Sequence, residues 1–204
     1  MKWATAVALV SAAAGATAAP ATRFVPRDNS TSAATYDHPS GFIFPRVIKN
    51  HDVNTNLNTL DYKTYTVRSG GTEKTTLYEL PIPDYTAGKK CGLVVRASRI
   101  GYGDRVEGEQ ALDIFSNQIT DLASLASGNF RNNPLARVRF NAATGFYDFD
   151  AVDVKPIIKE FPCPAGKTLE WESVSVGTED LNIITQDYYF DGVHAPNGLT
   201  IAYW

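Results

Sequence analysis

Residues 62–83, YKTYTVRSGGTEKTTLYELPIP, contain the pattern that decides the fold. Two runs rich in β-branched and aromatic residues, 62–68 and 75–80, flank a polar turn at 69–72 that contains two glycines. Strand-forming runs joined by a short glycine turn are typical of a β-hairpin. We therefore predict an antiparallel hairpin in this part of the chain.

The second arm of this hairpin has a period of two residues. One face of the predicted strand is formed by Thr76, Tyr78, Leu80 and Ile82. Pro81 and Pro83 have no backbone N–H to donate to a neighbouring strand. The strand should therefore lie at an edge of its sheet or end at these prolines.

Similar segments recur at intervals of roughly ten residues outside the hairpin. They lie at residues 91–97, 110–115, 137–141, 168–176, 182–190 and 198–204. Only residues 119–126 have helical spacing, with apolar side chains three residues apart and Asp121 as a cap. Many short strands with almost no helix predict an all-β protein. We expect an antiparallel β-sandwich of about 8–10 strands with one disulfide and at most one short helix.

One predicted strand contains a conflict of register. In residues 168–176, the apolar side chains of the first half and those of the second half fall on opposite phases of the alternation. One extra residue in the strand would bring both halves onto the same face. We therefore predict a β-bulge near Ser173.

The composition excludes several kinds of partner. The chain has 204 residues, of which 44% are hydrophobic and 20% charged, and this is typical of one soluble globular domain. The formal net charge is -3, and no basic run is longer than the pair Lys89 and Lys90. Nucleic acids and anionic membranes bind through clustered Lys and Arg, so we expect neither as a partner.

The amino terminus has the features of a secretory signal. A basic start, an apolar run and a small-x-small triplet ending at Ala18 predict a signal peptide over residues 1–18. Residues 19–40 are rich in Ala, Thr, Ser and Pro and predict a disordered leader, with a glycosylation sequon at Asn29. The domain should then span residues 41–204. Its apolar tail is too short for a lipid-anchor signal, so we expect a secreted protein, extracellular or in a cell wall, without a membrane anchor.

The chain has two cysteines, Cys91 and Cys163. In an oxidising compartment an even number of cysteines predicts disulfide formation. A Cys-x-x-Cys redox pair would need another spacing, and a zinc site would need more ligands near the cysteines than the sequence provides. We therefore predict one disulfide between these two residues.

Common catalytic and metal-binding motifs are absent from the sequence. It has no Gly-x-Ser-x-Gly elbow and no His-Glu-x-x-His zinc motif. His194 falls in a predicted loop with no identifiable nucleophile. Asp148, Asp150 and Asp153 depart from the EF-hand calcium pattern. We predict no catalytic residues, no bound metal and no cofactor.

Pairs of acids leave one enzymatic alternative open, because a glycosidase needs only two carboxylates at a suitable separation. Glu107 and Glu109 would share a sheet face if they lie in a strand, and so would Glu170 and Glu172. A charged face of an antiparallel sheet is usually solvated. We interpret these acids as solvent-exposed and keep a glycoside hydrolase as an alternative.

Aromatic residues near the carboxyl end provide a second alternative. Tyr188, Tyr189 and Trp204 belong to the last two predicted strands and could form a flat surface that stacks on sugar rings. Most of the 10 Tyr, 10 Phe and 3 Trp should instead fill the core or bridge strands. A carbohydrate-binding module for cell-wall polysaccharide, with these three residues at the ligand, is therefore an alternative.

Several short motifs, taken in order along the chain, resemble those of one protein family. They are FIFPRV at 42–47, TLYELP at 76–81, CGLVV at 91–95, CPAG at 163–166 and GLTIAY at 198–203. Residues 41–204 thereby resemble the But-type C-terminal domain of secreted fungal proteins, a family named after a yeast protein that binds the Uba-three subunit of a ubiquitin-like activating machinery. The resemblance implies a β-sandwich with an inter-strand disulfide on a secreted or wall-associated protein, and it brings no catalytic residues.

The sequence thus favours a secreted, non-catalytic fungal protein that acts by binding or by a structural role in the cell wall. Its expected partners are a cell-wall polysaccharide or an extracellular protein. The partner in the family's name is intracellular, and the predicted signal peptide argues against an encounter with it.

Overall fold

The computed structural model describes residues 39–150 and 156–204. Strands make up 55% of the structure and helix 2%, which confirms the all-β prediction. The predicted signal peptide, Asn29, Asp153 and all but the last two residues of the predicted leader lie outside the described residues. Among the residues that are described, no helix has the length and hydropathy of a membrane span.

Fourteen strands and one short 3₁₀ turn, Asp84–Thr86, form the described structure. In chain order the strands are β1 (Gly41–Ile43), β2 (Val47–Asp52), β3 (Leu57–Asp61), β4 (Lys63–Ser69), β5 (Thr72–Pro81), β6 (Lys90–Arg96), β7 (Arg105–Glu107), β8 (Ala111–Asn117), β9 (Arg131–Asn141), β10 (Phe146–Asp150), β11 (Phe161–Pro162), β12 (Thr168–Ser175), β13 (Asp180–Thr185) and β14 (Gly198–Tyr203). The predicted segments do not include six of these strands. Three of the six, β1, β7 and β11, have only two or three residues each, too few to show an alternation.

All paired strands are antiparallel and belong to one sheet. Its order is β1-β14-β6-β10-β9-β8-β12-β5-β4-β13-β7, with β11 added to β6, β2 to β5 and β3 to β2. The sheet curls into a half-barrel, so that β14 approaches β4 from the other end of the order. Such curling follows from the right-handed twist that accumulates over many strands. A sandwich of two separate sheets is therefore not confirmed.

The predicted hairpin is confirmed and consists of β4 and β5. Gly70 and Gly71 at its turn have φ values of 57° and 81°, a conformation that glycine adopts without strain and that matches the twist of a tight hairpin. β5 lies inside the sheet, since it pairs with β12 on one side and with β4 and then β2 on the other. It ends at Pro81, which confirms the second alternative for this strand.

The main hydrophobic core lies on the inner face of the curled sheet. Tyr78, Leu80 and Ile82 of the predicted alternation are all buried in it. The core also contains neutral polar groups, since Tyr78 Oη is 2.7 Å from Thr64 Oγ1 and 2.8 Å from Ser173 Oγ. Burial of these hydroxyl groups costs little free energy because each has a hydrogen-bond partner.

The predicted disulfide is confirmed. It joins Cys91 to Cys163, whose Cα atoms are 5.0 Å apart. Cys91 lies in β6 and is fully buried, and its backbone pairs with Phe161 of β11, two residues before Cys163. The bond therefore holds the two-residue strand β11 on the edge of β6.

The outer face of β2, β5 and β12 is covered by residues 118–130, which we call the covering segment. Leu122 of this segment is fully buried. Lys49 Nζ on β2 donates hydrogen bonds to the carbonyl oxygens of Ala123 at 2.7 Å and Leu125 at 2.9 Å. An apolar anchor and a buried cation therefore help to fasten the segment to the sheet.

Residues 119–126, which have helical spacing, form no regular helix, but Asp121 caps a single turn as predicted. One turn forms, in which Leu125 N donates to Leu122 O at 3.2 Å and the carboxylate of Asp121 accepts from Ser124 N at 3.3 Å. After this turn, the carbonyl oxygens of Ala123 and Leu125 accept from Lys49, and that of Ala126 accepts from Asn58 N. Tertiary bonding therefore overrides the helical spacing of the apolar residues.

The bulge predicted near Ser173 is wrong. β12 pairs with β5 and with β8 in continuous register. Trp171 is buried on its inner face, and Glu172 and Val174 are buried on its outer face. The apolar residues change phase because both faces are covered. The register irregularities occur between β8 and β9, around Phe115.

Candidate functional site

The first candidate site lies at the end of β13, where the loop of residues 186–197 leads to β14. The buried carboxylate of Asp104 accepts hydrogen bonds from Thr185 N at 2.8 Å, from Asn197 Nδ2 at 2.8 Å and from Arg99 N at 2.9 Å. Charge-assisted hydrogen bonds of this kind are strong. Three parts of the chain are therefore held together by one side chain, which fixes the loops between them.

Four exposed tyrosines lie on these loops or beside them, and we call them the tyrosine surface. Their exposed fractions are 64% for Tyr62, 92% for Tyr102, 53% for Tyr188 and 77% for Tyr189. Tyr62 is tied to the 186–197 loop, since its carbonyl oxygen accepts from Gln186 N at 3.3 Å. Among the described residues, only Tyr85 and Phe130 are other exposed aromatic residues. Exposed rings are therefore concentrated in this part of the molecule.

Charged groups lie beside these rings. Arg99 Nη2, from the loop that carries Tyr102, is 2.6 Å from Asp187 Oδ1. Burial raises the pKa of Tyr188, and the nearby negative charge of Asp61 raises it further. A sugar presents an apolar face for stacking and hydroxyl groups for hydrogen bonding. Aromatic faces with charged groups at their rim can bind such a ligand.

Trp204, the third residue predicted at the ligand, is placed differently from Tyr188 and Tyr189. It is partly buried and packs with Phe190 against a second apolar cluster around Phe42. The ring of Phe190 lies 4.8 Å from that of Phe42. The loop thus presents its two tyrosines to solvent, whereas Phe190 and Trp204 pack against the sheet.

Sequence analysis missed Tyr62 and Tyr102, which are distant from Tyr188 along the chain. A signal is nevertheless present in the sequence. Tyr102 stands between two glycines and Tyr62 between two charged residues, so neither ring belongs to an alternating apolar pattern that would bury it. A large aromatic residue in such a context is a candidate for an exposed binding position.

His194 is exposed and bound within its own loop. Its Nδ1 lies 2.9 Å from Asp191 Oδ2, and Asp191 Oδ1 accepts from the backbone N–H groups of Val193 and His194 at 2.8 and 2.7 Å. These hydrogen bonds hold the pKa of Asp191 well below its usual range. The pair stabilises a turn beside the tyrosine surface.

The acids considered as a calcium cluster have other partners. Asp148 accepts a hydrogen bond from Asn141 Nδ2 at 2.9 Å, and Asp150 lies 3.5 Å from Arg139 Nη2. In residues 39–150 and 156–204, no group of three His, Cys, Asp or Glu side chains is arranged to hold a metal ion.

Glu107 and Glu109 do not share a strand face. Glu107 in β7 is 2.7 Å from Arg105 Nη2, whereas Glu109 follows the strand and lies 3.7 Å from Arg139 Nη1. Both side chains are more than half exposed. They form surface ion pairs of little energetic weight.

Glu170 and Glu172 do share the outer face of β12. The expectation that this face is solvated is wrong, because the covering segment shields it. Glu172 is fully buried and accepts hydrogen bonds from Arg131 Nε at 2.9 Å, Arg131 Nη2 at 2.8 Å and Asn129 Nδ2 at 3.0 Å. Its charge is therefore compensated by a bidentate ion pair.

A pair of acids that sequence analysis missed forms between β5 and β12. Glu79 lies directly opposite Glu170, and we call these two residues the acid pair. Arg46 Nε is 2.6 Å from Glu79 Oε1, so the nearby cation is bound to one member of the pair. Burial, and then the negative charge of Glu79, raise the pKa of Glu170 to about 8. Glu170 is therefore mostly protonated at neutral pH.

The geometry of the acid pair opposes a glycosidase mechanism. Both carboxyl groups of a glycosidase must reach the scissile bond. The side chain of Glu79 is only 3% exposed, and Arg46 occupies one of its oxygens. A substrate cannot contact both acids, so the enzymatic alternative gains no support from this pair.

Comparison with known proteins identifies no relative. No family model, no curated protein and no solved structure matches the chain. The resemblance to the But-type domain therefore stays a prediction, and functional inference has to start from the geometry of the sites.

Proposed function

We propose that this protein is a secreted, non-catalytic binding protein of the extracellular space or cell wall, and that its ligand is a cell-wall polysaccharide. The tyrosine surface contacts the sugar rings. The predicted signal peptide supports export, and the Cys91–Cys163 disulfide is compatible with it, because structural disulfides persist in oxidising compartments.

The concentration of exposed tyrosine rings around one anchored loop carries this proposal. Folded proteins rarely expose several large apolar groups together unless a ligand or partner covers them. Tyr188 and Tyr189 are rigid aromatic groups, so their ordering on a ligand costs little conformational entropy. Arg99 and Asp187 at the rim provide a donor and an acceptor for sugar hydroxyl groups.

The test is a pull-down of the secreted chain with insoluble chitin, β-glucan, mannan and cellulose. We expect saturable binding to at least one polysaccharide and no release of soluble sugar. The double variant Tyr188→Ala, Tyr189→Ala should bind about tenfold more weakly or worse, because central aromatic residues dominate binding energies.

Tyr85→Ala is the matched control, since it removes an exposed tyrosine that packs on Tyr203 and lies outside the tyrosine surface. It should bind like the wild type. Absence of binding to all four polysaccharides would refute the carbohydrate ligand and favour an extracellular protein partner. Binding that survives the double substitution would refute the tyrosine surface, and released sugar would refute the non-catalytic role.

A further inference from the structure

The acid pair contains a buried oxygen without a partner. Glu170 Oε2 accepts no hydrogen bond, whereas Glu79 Oε1 on the opposite strand is bound by Arg46. A buried acceptor that has lost its water is costly unless a donor is found for it. Protonation of Glu170 lowers this cost, because it removes the negative charge, and the O–H group that results then needs an acceptor.

A second buried oxygen without a donor lies at the neighbouring position of the sheet. It is Oδ1 of Asn117. In the pairing of β8 with β12, Ser116 is opposite Trp171, so Asn117 occupies the next position along, beside Glu170. A protonated carboxyl group is a donor as well as an acceptor, and an amide oxygen is an acceptor. The two unpartnered atoms are therefore complementary only when Glu170 is protonated.

Three charged groups act on Glu170 from three parts of the chain. Glu79 faces it from β5, Asp121 from the covering segment and Arg46 from the residues before β2. Arg46 already binds Glu79, both through its side chain and through its backbone N–H, which donates to Glu79 O at 2.7 Å. Ionised Glu170 would therefore face two carboxylates with one shared cation.

The other charged groups on this face have partners of their own. Lys49 donates to two carbonyl oxygens of the covering segment. Glu172 is bound by Arg131 and Asn129. Glu170 is half-buried, and a new negative charge on it would have to be met by water. Its buried oxygen Oε2 gains water when the covering segment moves away.

We propose that a proton on the acid pair fastens the covering segment to the sheet, and that loss of this proton releases the segment. In the closed form, protonated Glu170 donates to Asn117 Oδ1 and presents no negative charge to Glu79 or Asp121. In the open form, Glu170 is hydrated and ionised. The covering segment is thus a strap that is closed in acid and loosens as the pH rises.

The strap can open without unfolding the sheet, because the bonds that hold it are not part of the pairing between the sheet strands. They join it to Lys49, Asn56, Asn58, Asn117 and Glu172. Leu122 is its buried apolar anchor, and Asn58 of β3 binds its far end, with the backbone N–H donating to Ala126 O at 2.9 Å and Nδ2 donating to Gly128 O at 2.8 Å. Segments with few backbone bonds open at a lower free energy than the core strands. Opening is therefore a local event.

The pH range of the switch follows from the two protonation states. Glu170 has an ordinary pKa of 4.5 when it is hydrated and a pKa of about 8 under the strap. Between these values the closed form holds a proton that the open form has lost. The ratio of open to closed molecules should therefore rise with pH, by up to roughly tenfold per unit, and level off above pH 8.

Hydrogen exchange of the intact secreted chain between pH 5 and pH 9 tests the proposal, with rates corrected for the intrinsic effect of pH. Protection of residues 118–130 should fall between pH 5 and pH 8, while β5 and β6 keep their protection. Glu170→Gln cannot ionise, so its strap should stay equally protected at every pH. Glu107→Gln, at an exposed glutamate, should behave like the wild type.

Protection of the strap that is independent of pH would refute the proposal, and so would a pH-dependent loss that persists in Glu170→Gln. A second measurement, by NMR, needs only the wild type and therefore does not depend on whether the variant folds. The carboxyl carbon of Glu170 should titrate in an NMR experiment with a midpoint well above 4.5. A midpoint at the ordinary value would refute the proposal.

Discussion

The two faces of β5 and β12 share one backbone and bury polar groups in opposite ways. On the inner face, Tyr78 and Ser173 pair through neutral hydroxyl groups beside the ring of Trp171. On the outer face, Glu79 and Glu170 are opposed as carboxyl groups beneath the covering segment. The curl of the sheet itself closes the inner face, whereas a segment without strands of its own closes the outer one.

This difference shows how the chemistry of a buried group decides what it requires. A hydroxyl group both donates and accepts, so the hydroxyl groups of the inner face satisfy one another. Burial raises the pKa of Tyr78 to about 12, which keeps that network protonated over the physiological range. A carboxylate only accepts, so each acid of the outer face needs an arginine or a proton from elsewhere. Of these two sets of side chains, the acids of the outer face are therefore the ones that should respond to pH.

The largest effect should come from the constraint attached to the inner face. We expect the double variant Cys91→Ser, Cys163→Ser to lose roughly 4 kcal/mol of unfolding free energy, because the disulfide closes a loop with a sequence separation of 72 residues. Urea unfolding of the oxidised wild type and the variant measures this loss. Reductant should lower the unfolding free energy of the wild type toward that of the variant and leave that of the variant unchanged. Equal stability of the oxidised wild type and the variant would contradict the prediction.

The next largest effect should come from the outer face. Arg131→Ala leaves Glu172 buried without its bidentate partner, so we expect a loss of roughly 3 kcal/mol in unfolding free energy. Arg131→Lys keeps the positive charge but cannot form the bidentate pair. Its unfolding free energy should lie between those of the wild type and Arg131→Ala. Chemical denaturation of the three proteins at one pH is the measurement. A loss below 1 kcal/mol for Arg131→Ala would show that water reaches Glu172 on the outer face.

The pH dependence of stability separates the two faces directly. The pKa of Glu170 is raised in the folded state, so its stabilising contribution is complete below pH 4.5 and is lost as the pH rises toward about 8. We expect a fall of about 2 kcal/mol over this range, after discounting the full linkage value for a half-buried group. Comparison of unfolding free energies of the wild type and Glu170→Gln at pH 4.5 and pH 8 measures it. The unfolding free energy of Glu170→Gln relative to that of the wild type should increase between pH 4.5 and pH 8. A difference that does not change with pH would contradict the prediction.

The smallest effect should come from the neutral network of the inner face. Tyr78→Phe removes one hydroxyl group from between Thr64 and Ser173, so we expect a loss of about 1 kcal/mol in unfolding free energy. This loss should be the same at pH 5 and pH 8, because no group of that network titrates between them. A loss that varies with pH would remove the distinction between the two faces. The double variant Tyr78→Phe, Ser173→Ala provides the control, since it removes two partners together.

Local patterns were sufficient where the structure is locally determined. The hairpin of β4 and β5 follows from two glycines between strand-forming runs, and the buried face of β5 follows from alternation. The segment with helical spacing at residues 119–126 forms only one turn, and the residues after it bond to distant strands through Lys49 and Asn58. The bulge expected near Ser173 failed because the alternation assumes one dry face, and β12 has two.

The candidate sites depended on contacts between distant parts of the chain. Glu79 and Glu170 meet because β5 and β12 pair in one particular register, which no local feature of either strand specifies. Tyr62 and Tyr102 join Tyr188 because the loops converge around Asp104 and Gln186. The sequence shows which residue types are present at such sites, but it does not show which residues are neighbours in space.

By itself, the sequence determined that the chain is an antiparallel all-β protein, that one face of β5 is buried, and that its two cysteines form a disulfide. Alternation with a period of two is a property of each strand alone, and two cysteines allow one pairing. Only the tertiary structure decided that the sheet curls, that the charged face of β12 is covered, and that Glu170 faces Glu79. These features depend on strand order, register and the path of a long loop, which are set by the free energy of burial over the whole domain.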